Sequence, residues 1–278
     1  MGAKTAIRWT GATWNPIAGC SKVSPGCANC YAEALSLRYG RSVLPWTPEN
    51  AAANVVLHPE RLRLPLTWAE PRRVFVNSMS DLFHELAPAD YIARVFAVMA
   101  RTDRHTYQIL TKRPERMAAM VSDPRFRREV AQHYIESTDA PPRLRTLNEP
   151  LEDPERSGWP LPNVWLGTSI ENDRWTGRAD ALRQTPAAVR FISAEPLLGP
   201  LPSLDLAGID WLIVGGESGP GFRPMDHAWA RDLRDRAIGQ GTAFFFKQSA
   251  ARWTERGVEL DGRRWEQYPD DADRDPRR

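Results

Sequence analysis

Seven short apolar runs recur along this 278-residue chain, and each ends in a polar cluster: ATWNPIAG (12–19), VFVNSMSD (74–81), YQILTKRPE (107–115), VWLGTSIEND (164–173), VRFISAEPLLG (189–199), WLIVGGESGP (211–220) and AFFFKQSA (243–250). Amphipathic stretches follow several of them, from Ala89 to Ala100, from Pro114 onward, from Arg174 to Arg183 and from Trp229 to Ile238. The runs are continuous rather than alternating, as parallel strands covered on both faces require. Strand, loop, helix and strand at this spacing is the pattern of βαβ units. Six or seven such units predict an α/β fold, a complete or partial (β/α) TIM-type barrel in a single domain over residues 1–260. A doubly wound open sheet is the competing architecture.

Two segments stand outside the pattern. Residues 122–162 read as an insertion or lid; their RFRR stretch (125–128) is by default helix surface charge, and on a lid it could approach a phosphate backbone. Residues 261–278 read as a polar, flexible tail. With 42% hydrophobic and 26% charged residues the composition is that of a globular chain, and a net charge of +2 does not announce a nucleic-acid binder. No stretch approaches the roughly 18 apolar residues of a membrane span, and the start lacks the apolar run of a secretion signal. The expectation is a cytoplasmic protein with no membrane association.

In barrels and open parallel sheets alike, residues just past the carboxyl ends of the strands converge on one mouth. Here that mouth would gather Asn77, Ser78, Ser80, Asp81, Thr111, Lys112, Thr168, Ser169, Glu171, Glu195, Glu217, Ser218, Lys247 and Gln248. Taken singly, each Ser or Asn also suits a turn or helix cap. Lys112 and Lys247 end apolar strands, so their ammonium groups would meet a carboxylate or phosphate in the cavity, or an ion pair with Glu195. Glu195 could act as a proton acceptor, bind ribose hydroxyls or simply neutralise a lysine. These three are the candidate catalytic residues. His84 reads as solvated or helix-capping, and Trp9 and Trp14 as packing residues near enough to the cysteines to exclude water.

All three cysteines, Cys20, Cys27 and Cys30, fall in GCSKVSPGCANCYAEAL (19–35), after the first strand and so on the same mouth. Pro25 and Gly26 let the loop curl back. Cys30 precedes a helix whose Ala32, Leu35 and Tyr39 form an apolar face, and a helix amino end favours anionic sulfur. Three thiolates suit an iron–sulfur cluster with one open iron. A zinc site would need a fourth ligand from Glu33, His58 or His84. A redox pair of Cys27 with Cys30, or plain burial of the thiols, are the other readings.

The motifs GCSKVSPGCANCYAE, FVNSMSDLFHE, ILTKRPERM, WLGTSIEN, ISAEPLLGP, VGGESGP and FFFKQSA resemble the phage and bacterial three-cysteine-motif proteins, a family of unknown function, over nearly the whole chain. More distantly, the triplet ending in C-x-x-C-Y-A is similar to that of radical S-adenosylmethionine enzymes of the spore photoproduct lyase type. The resemblance implies that Cys20, Cys27 and Cys30 hold a 4Fe-4S cluster that binds S-adenosylmethionine and cleaves it by one-electron reduction. By position, Asn77, Ser80 and Asp81 would bind its amino group, with Thr168, Ser169 and Glu171 further along the mouth. The first two cysteines are separated by six residues where those enzymes have three, and Asn29 stands where they have an aromatic. VGGESGP follows a later strand than their methionine-binding glycine motif, so no such role passes to Glu217. The resemblance suggests a nucleic acid or nucleotide-linked substrate, an electron-donor protein and a separate three-cysteine-motif partner protein. The other functions in play are a zinc-binding barrel, hydrolytic or structural, and a non-catalytic subunit.

Overall fold

The computed structural model of the chain describes residues 5–42, 44–136 and 158–269. The first part holds β1 (Ala12–Trp14), β2 (Ile17–Ala18), α1 (Tyr31–Arg38), α2 (Ala51–Asn54) and β3 (Val56–Leu57). β4 (Arg73–Val76), α3 (Ala89–Arg101), β5 (Thr106–Thr111), α4 (Pro114–Ser122), α5 (Pro124–Glu136) and β6 (Val164–Ser169) follow. The chain ends with α6 (Arg178–Gln184), β7 (Val189–Ala194), β8 (Trp211–Gly215), α7 (His227–Gly239) and β9 (Ala243–Gln248).

Seven strands form one sheet in the order β1-β4-β5-β6-β7-β8-β9, with every neighbouring pair parallel. Each new strand is added beside the last, with no reversal of order. A doubly wound sheet needs such a reversal, so the topology is that of a (β/α) barrel. Alternation along the strands sorts the side chains. Val74, Val76, Tyr107, Ile109, Leu166, Ile192, Val214 and Phe246 face a core shared with α3 to α7. Phe75, Trp165, Phe191, Trp211, Ile213 and Phe245 form a second cluster with Trp9, and no helix contributes to it. Helices α3 to α7 therefore cover one face, and the other face lines a lumen.

The sheet curls far enough that its two edges nearly meet. Arg8, just before β1, donates from Nη1 to the Lys247 carbonyl on β9 at 2.8 Å and pairs with Glu266. Trp9 packs on Phe75 at 4.6 Å and on Trp211 at 6.1 Å, closing the lumen at the strands' amino ends. β1 and β9 share no ladder, and residues 265–268 occupy the gap. Phe246 N bonds the Trp265 carbonyl, Gln267 N bonds the Phe244 carbonyl, and Tyr268 stacks on Trp211 and under the Arg73 guanidinium at 4.1 Å. The architecture is a seven-stranded, curled partial barrel. The expected flexible tail therefore starts too early in the sequence reading: 265–268 are anchored by backbone pairing and aromatic stacking, and 270–278 lie outside the described residues.

The expected lid also resolves differently where it is described. Residues 124–136 are α5, whose Phe126, Val130, Ala131 and Tyr134 are buried against α3, with Phe126 and Phe96 rings 5.3 Å apart. Within RFRR, Arg127 is buried and Arg125 and Arg128 are exposed on the outer helical layer, away from the mouth. Residues 137–157 of the proposed lid lie outside the described residues.

Candidate metal centre at the barrel mouth

After β1 the chain turns through the small antiparallel β2–β3 pair and enters the cysteine loop at Gly19. Gly19 has φ +82°, and a Cβ there would fall 1.8 Å from the Asn54 carbonyl oxygen, so only glycine permits this approach. Its N–H bonds the Met79 carbonyl at 3.0 Å, which sets Cys20 beside the loop that follows β4. Cys27 closes a 3₁₀ turn begun by Pro25, and Cys30 is the N-cap of α1.

Four contacts then carry the loop across the mouth. Gly26 N donates to Glu171 Oε1 at 3.1 Å beyond β6, and Asn29 Nδ2 to Glu217 Oε2 at 2.9 Å beyond β8. Arg223 Nη2 donates to the Pro25 carbonyl at 3.1 Å, and Tyr31 Oη to the Ser78 carbonyl at 2.6 Å beyond β4. The thiols are partly buried and unoxidised. They lie near enough that Cys27 raises the proton affinity of both Cys20 and Cys30.

Each sulfur has a cation near it. Arg113 Nη1 stands 3.7 Å from Cys20 Sγ, and its guanidinium is fixed by Asp81 at 3.1 Å, Glu85 at 2.8 Å and Ser21 Oγ at 3.0 Å. Lys112 acts electrostatically on Cys30, and Arg178 interacts with Cys27. Burial, then Asp81, pushes the Cys20 thiol up to about 12 against the opposing pull of Arg113. Burial raises Cys30 in the same way, opposed by Lys112. Ligation of a metal by these sulfurs therefore expels protons, and the three cations offset the charge that accumulates.

The residues expected around the mouth divide by strand parity. Lys112, Ser169, Glu171, Glu195 and Lys247 fall on the lumen side. Thr168 does not: it alternates to the helix side and donates to the Thr111 carbonyl at 3.0 Å, because a one-residue step along a strand reverses the face. Asp81 accepts from Thr111 Oγ1 at 2.7 Å, Lys112 N at 3.1 Å and Phe83 N at 3.0 Å besides Arg113, so it anchors a cation rather than offering a free oxygen. Ser80 Oγ donates to the Ile17 carbonyl at 2.8 Å. Glu171 is fully buried and takes Arg178 at 3.1 Å as well as Gly26. Glu195 and Lys247 form an ion pair across Gly215. In VGGESGP, a Cβ at Gly216 would lie 2.2 Å from Ala250 N, so this glycine serves a close approach between the β8 and β9 loops.

Buried polar atoms beside the lumen that lack hydrogen-bond partners include Trp9 Nε1, Gln108 Oε1, Asn77 Nδ2 and Ser193 Oγ. Asn77, at φ +62°, has an unpaired Nδ2, and Ser193, one step below Glu195 on the same face of β7, has an unpaired Oγ. Orphaned buried groups at a mouth are what a bound polar ligand would satisfy. The sequence reading missed Ser193, along with Arg113, Arg178, Arg223 and Asn29. Arg113 stands beside Lys112 in TKRPE, and that adjacency was the one available signal.

Other expectations change. His84 is buried, with Nε2 2.9 Å from Ser21 Oγ and Nδ1 accepting from Leu86 N at 3.1 Å; burial, then Arg113, lowers its proton affinity, and both ring nitrogens are engaged within the fold. Trp14 packs outward on Tyr107 and Trp9 sits at the opposite end of the lumen, so neither shields the thiols. Among the described residues no three His, Cys, Asp or Glu side chains converge closely enough to hold a single metal ion. The fourth ligands considered for zinc are engaged: Glu33 with Lys22 and Trp46 N, His58 with Glu60, and His84 as above. The expected meeting of the Cys20, Cys27 and Cys30 sulfurs at one metal centre is thus not shown among the described residues. No helix among the described residues is long and apolar enough to cross a membrane.

Fold and site together define a partial (β/α) barrel with a cysteine triplet folded over its carboxyl-end mouth. Residues 4–269 match the family described as "Protein of unknown function (DUF5131)", and the chain belongs to that family. No curated protein matches it. Among solved structures it is similar to "Spore photoproduct lyase complexed with dinucleoside spore photoproduct" at 12% identity and a TM-score of 0.40. That match covers 85% of this chain and 64% of the other, so the chain spans just under two thirds of that protein's length.

Proposed function

We propose that this protein is an iron–sulfur enzyme of the radical S-adenosylmethionine type. One observation supports the reading: the loop bearing Cys20, Cys27 and Cys30 lies across the mouth, tied to Glu171 and Glu217, with Arg113 3.7 Å from the Cys20 sulfur. The three cysteines would hold a 4Fe-4S cluster, and the cations would balance its negative charge. When bound, such a cluster supplies the electron that reduces the sulfonium of S-adenosylmethionine, breaking a carbon–sulfur bond.

The chain's own groups fit the rest of the task. Asn77 Nδ2 and Ser193 Oγ offer unsatisfied hydrogen-bonding capacity at the lumen wall. Glu195 and Lys247 form a partly buried acid–base pair able to hold or pass a proton at the substrate. The β8 and β9 loops, joined by the Gly219 N to Ala251 carbonyl bond, limit access of water on that side.

The test is anaerobic purification followed by iron and sulfide analysis and reductive cleavage of S-adenosylmethionine. About four irons per chain and cleavage by wild type but not by Cys27→Ala are expected. Colourless protein holding one zinc, or equal cleavage by both proteins, overturns the reading.

A further inference from the structure

We propose that the mouth takes a single-stranded oligonucleotide, whose bases stack on an aromatic rim and whose phosphates meet unpaired cations. The inference deepens the reading above and rests on it in taking the mouth as a substrate site, but the ligand's chemistry is read from the rim alone.

Three large aromatics stand exposed at the same mouth: Tyr31 (48%) at the start of α1, and Phe222 (37%) and Trp253 (66%) on two loops. These segments are tied into one surface. Ala251 N bonds the Glu217 carbonyl at 3.1 Å and Gly219 N bonds the Ala251 carbonyl at 3.2 Å, which joins the Trp253 loop to the Phe222 loop. Asn29 Nδ2 donates to the Gly221 carbonyl at 3.2 Å, which joins the Phe222 loop to the segment that carries Tyr31. Exposed rings of this size are ordinarily buried, and an arrangement on separate segments around one opening is that of stacking platforms.

The charge of the rim selects the ligand. The buried carboxylates Asp81, Glu171, Glu195 and Glu217 are each matched to a cation, respectively Arg113, Arg178, Lys247 and Arg223. Arg252 and Arg256 make no ion pair among the described residues, and Arg252 lies 5.7 Å from the Trp253 ring centroid. The surplus is positive and interleaved with π-faces. A single strand offers unstacked bases and backbone charge together, whereas a duplex hides its base faces.

The experiment is fluorescence anisotropy of the full chain, purified anaerobically, with a labelled mixed-sequence 12-mer as DNA, as RNA and as duplex. Single strands should bind, with affinity falling roughly sevenfold between about 50 and 200 mM salt. Trp253→Ala and Phe222→Ala should each cost about tenfold, and R252A/R256A should flatten the salt dependence. Circular dichroism checks that these surface variants stay folded. Tighter binding of the duplex, or single-strand affinity unmoved by both aromatic variants, overturns the proposal. So does a dimer seen by light scattering that Trp253→Ala dissolves, since the rim would then belong to a second copy. Cys27→Ala separates the two readings: it should lose S-adenosylmethionine cleavage and keep oligonucleotide binding. Cleavage by wild type without oligonucleotide binding counts against this proposal alone, and binding without cleavage against the iron–sulfur reading alone.

Discussion

The two flanks of the mouth are built differently. On the β4–β6 flank every buried charge is over-bonded: Asp81 accepts four hydrogen bonds, Arg113 spans Asp81, Glu85 and Ser21, and Glu171 takes both Arg178 and Gly26. On the β7–β9 flank Ser193 Oγ is buried without a hydrogen-bond partner, and Glu195 and Lys247 pair with each other, although Glu217 there accepts from both Asn29 and Arg223. A fully satisfied network is rigid, and a partly satisfied one has capacity for a ligand. Both flanks tie down the cysteine loop, the first through Glu171 and the second through Glu217, but the buried charges of the first are the more fully bonded.

The largest break in that comparison should come from Arg113→Met. Asp81 would keep its buried charge with its cation removed, which costs about 3–5 kcal/mol of stability. Urea denaturation reads it directly, and Arg113→Lys should recover part of the loss because the charge returns without the planar fork. A loss below about 1 kcal/mol would mean that the flank is not the rigid support described here.

Glu195→Gln tests the other flank and should separate activity from stability. Turnover should fall by about a hundredfold, the scale of a lost acid–base group, while the denaturation midpoint moves little. If stability falls and turnover survives, Glu195 serves only to neutralise Lys247.

Ser193→Ala sharpens the contrast at a smaller scale. Its hydroxyl has no partner to lose, so stability should hold or rise by up to about 1 kcal/mol. Affinity for S-adenosylmethionine, measured calorimetrically, should nonetheless drop severalfold. Unchanged affinity would remove Ser193 from the ligand's reach.

Much of the frame was legible before any coordinates. All seven sheet strands lie within the apolar runs, because strands covered on both faces must be continuously apolar, and chain-order pairing follows from regular βα spacing. The mouth was legible for the same reason, since topology alone sends strand ends to one side. Side-chain direction was harder to read. α1 buries Ala32 as expected, but it buries Glu33 and Ser36 beside it and leaves Leu35 and the following Tyr39 exposed, because Glu33 turns inward to Lys22 and Trp46 N. Thr168 was misplaced by one step of alternation. The cations at the thiols were invisible because nothing in the local sequence says that Arg113 will meet Cys20 across 93 positions. Residues 265–268 read as a polar tail because a strand that fills a gap by backbone pairing needs little apolar sequence.

The smallest expected effect concerns pH and the bond between the flanks. Glu217, beyond β8, holds Asn29 of the cysteine loop. Burial works to raise its proton affinity, but bonds from Arg223 and Asn29 outweigh that and hold the carboxyl below the usual 4.5. A depressed carboxyl contributes stability that is complete above its unfolded value and is lost as pH falls through its folded value. Docking of the loop should thus be unchanged from neutrality to about pH 4.5 and weaken only below it, by less than about 1 kcal/mol because Arg223 is a third exposed. Hydrogen exchange of residues 24–31, corrected for intrinsic rates, reads the opening. Glu217→Gln should open the loop slightly at every pH and remove the acid dependence. Should the dependence persist in Glu217→Gln, the acid-labile tie lies on the β4–β6 flank, and the contrast in bonding between the flanks has been drawn in the wrong place.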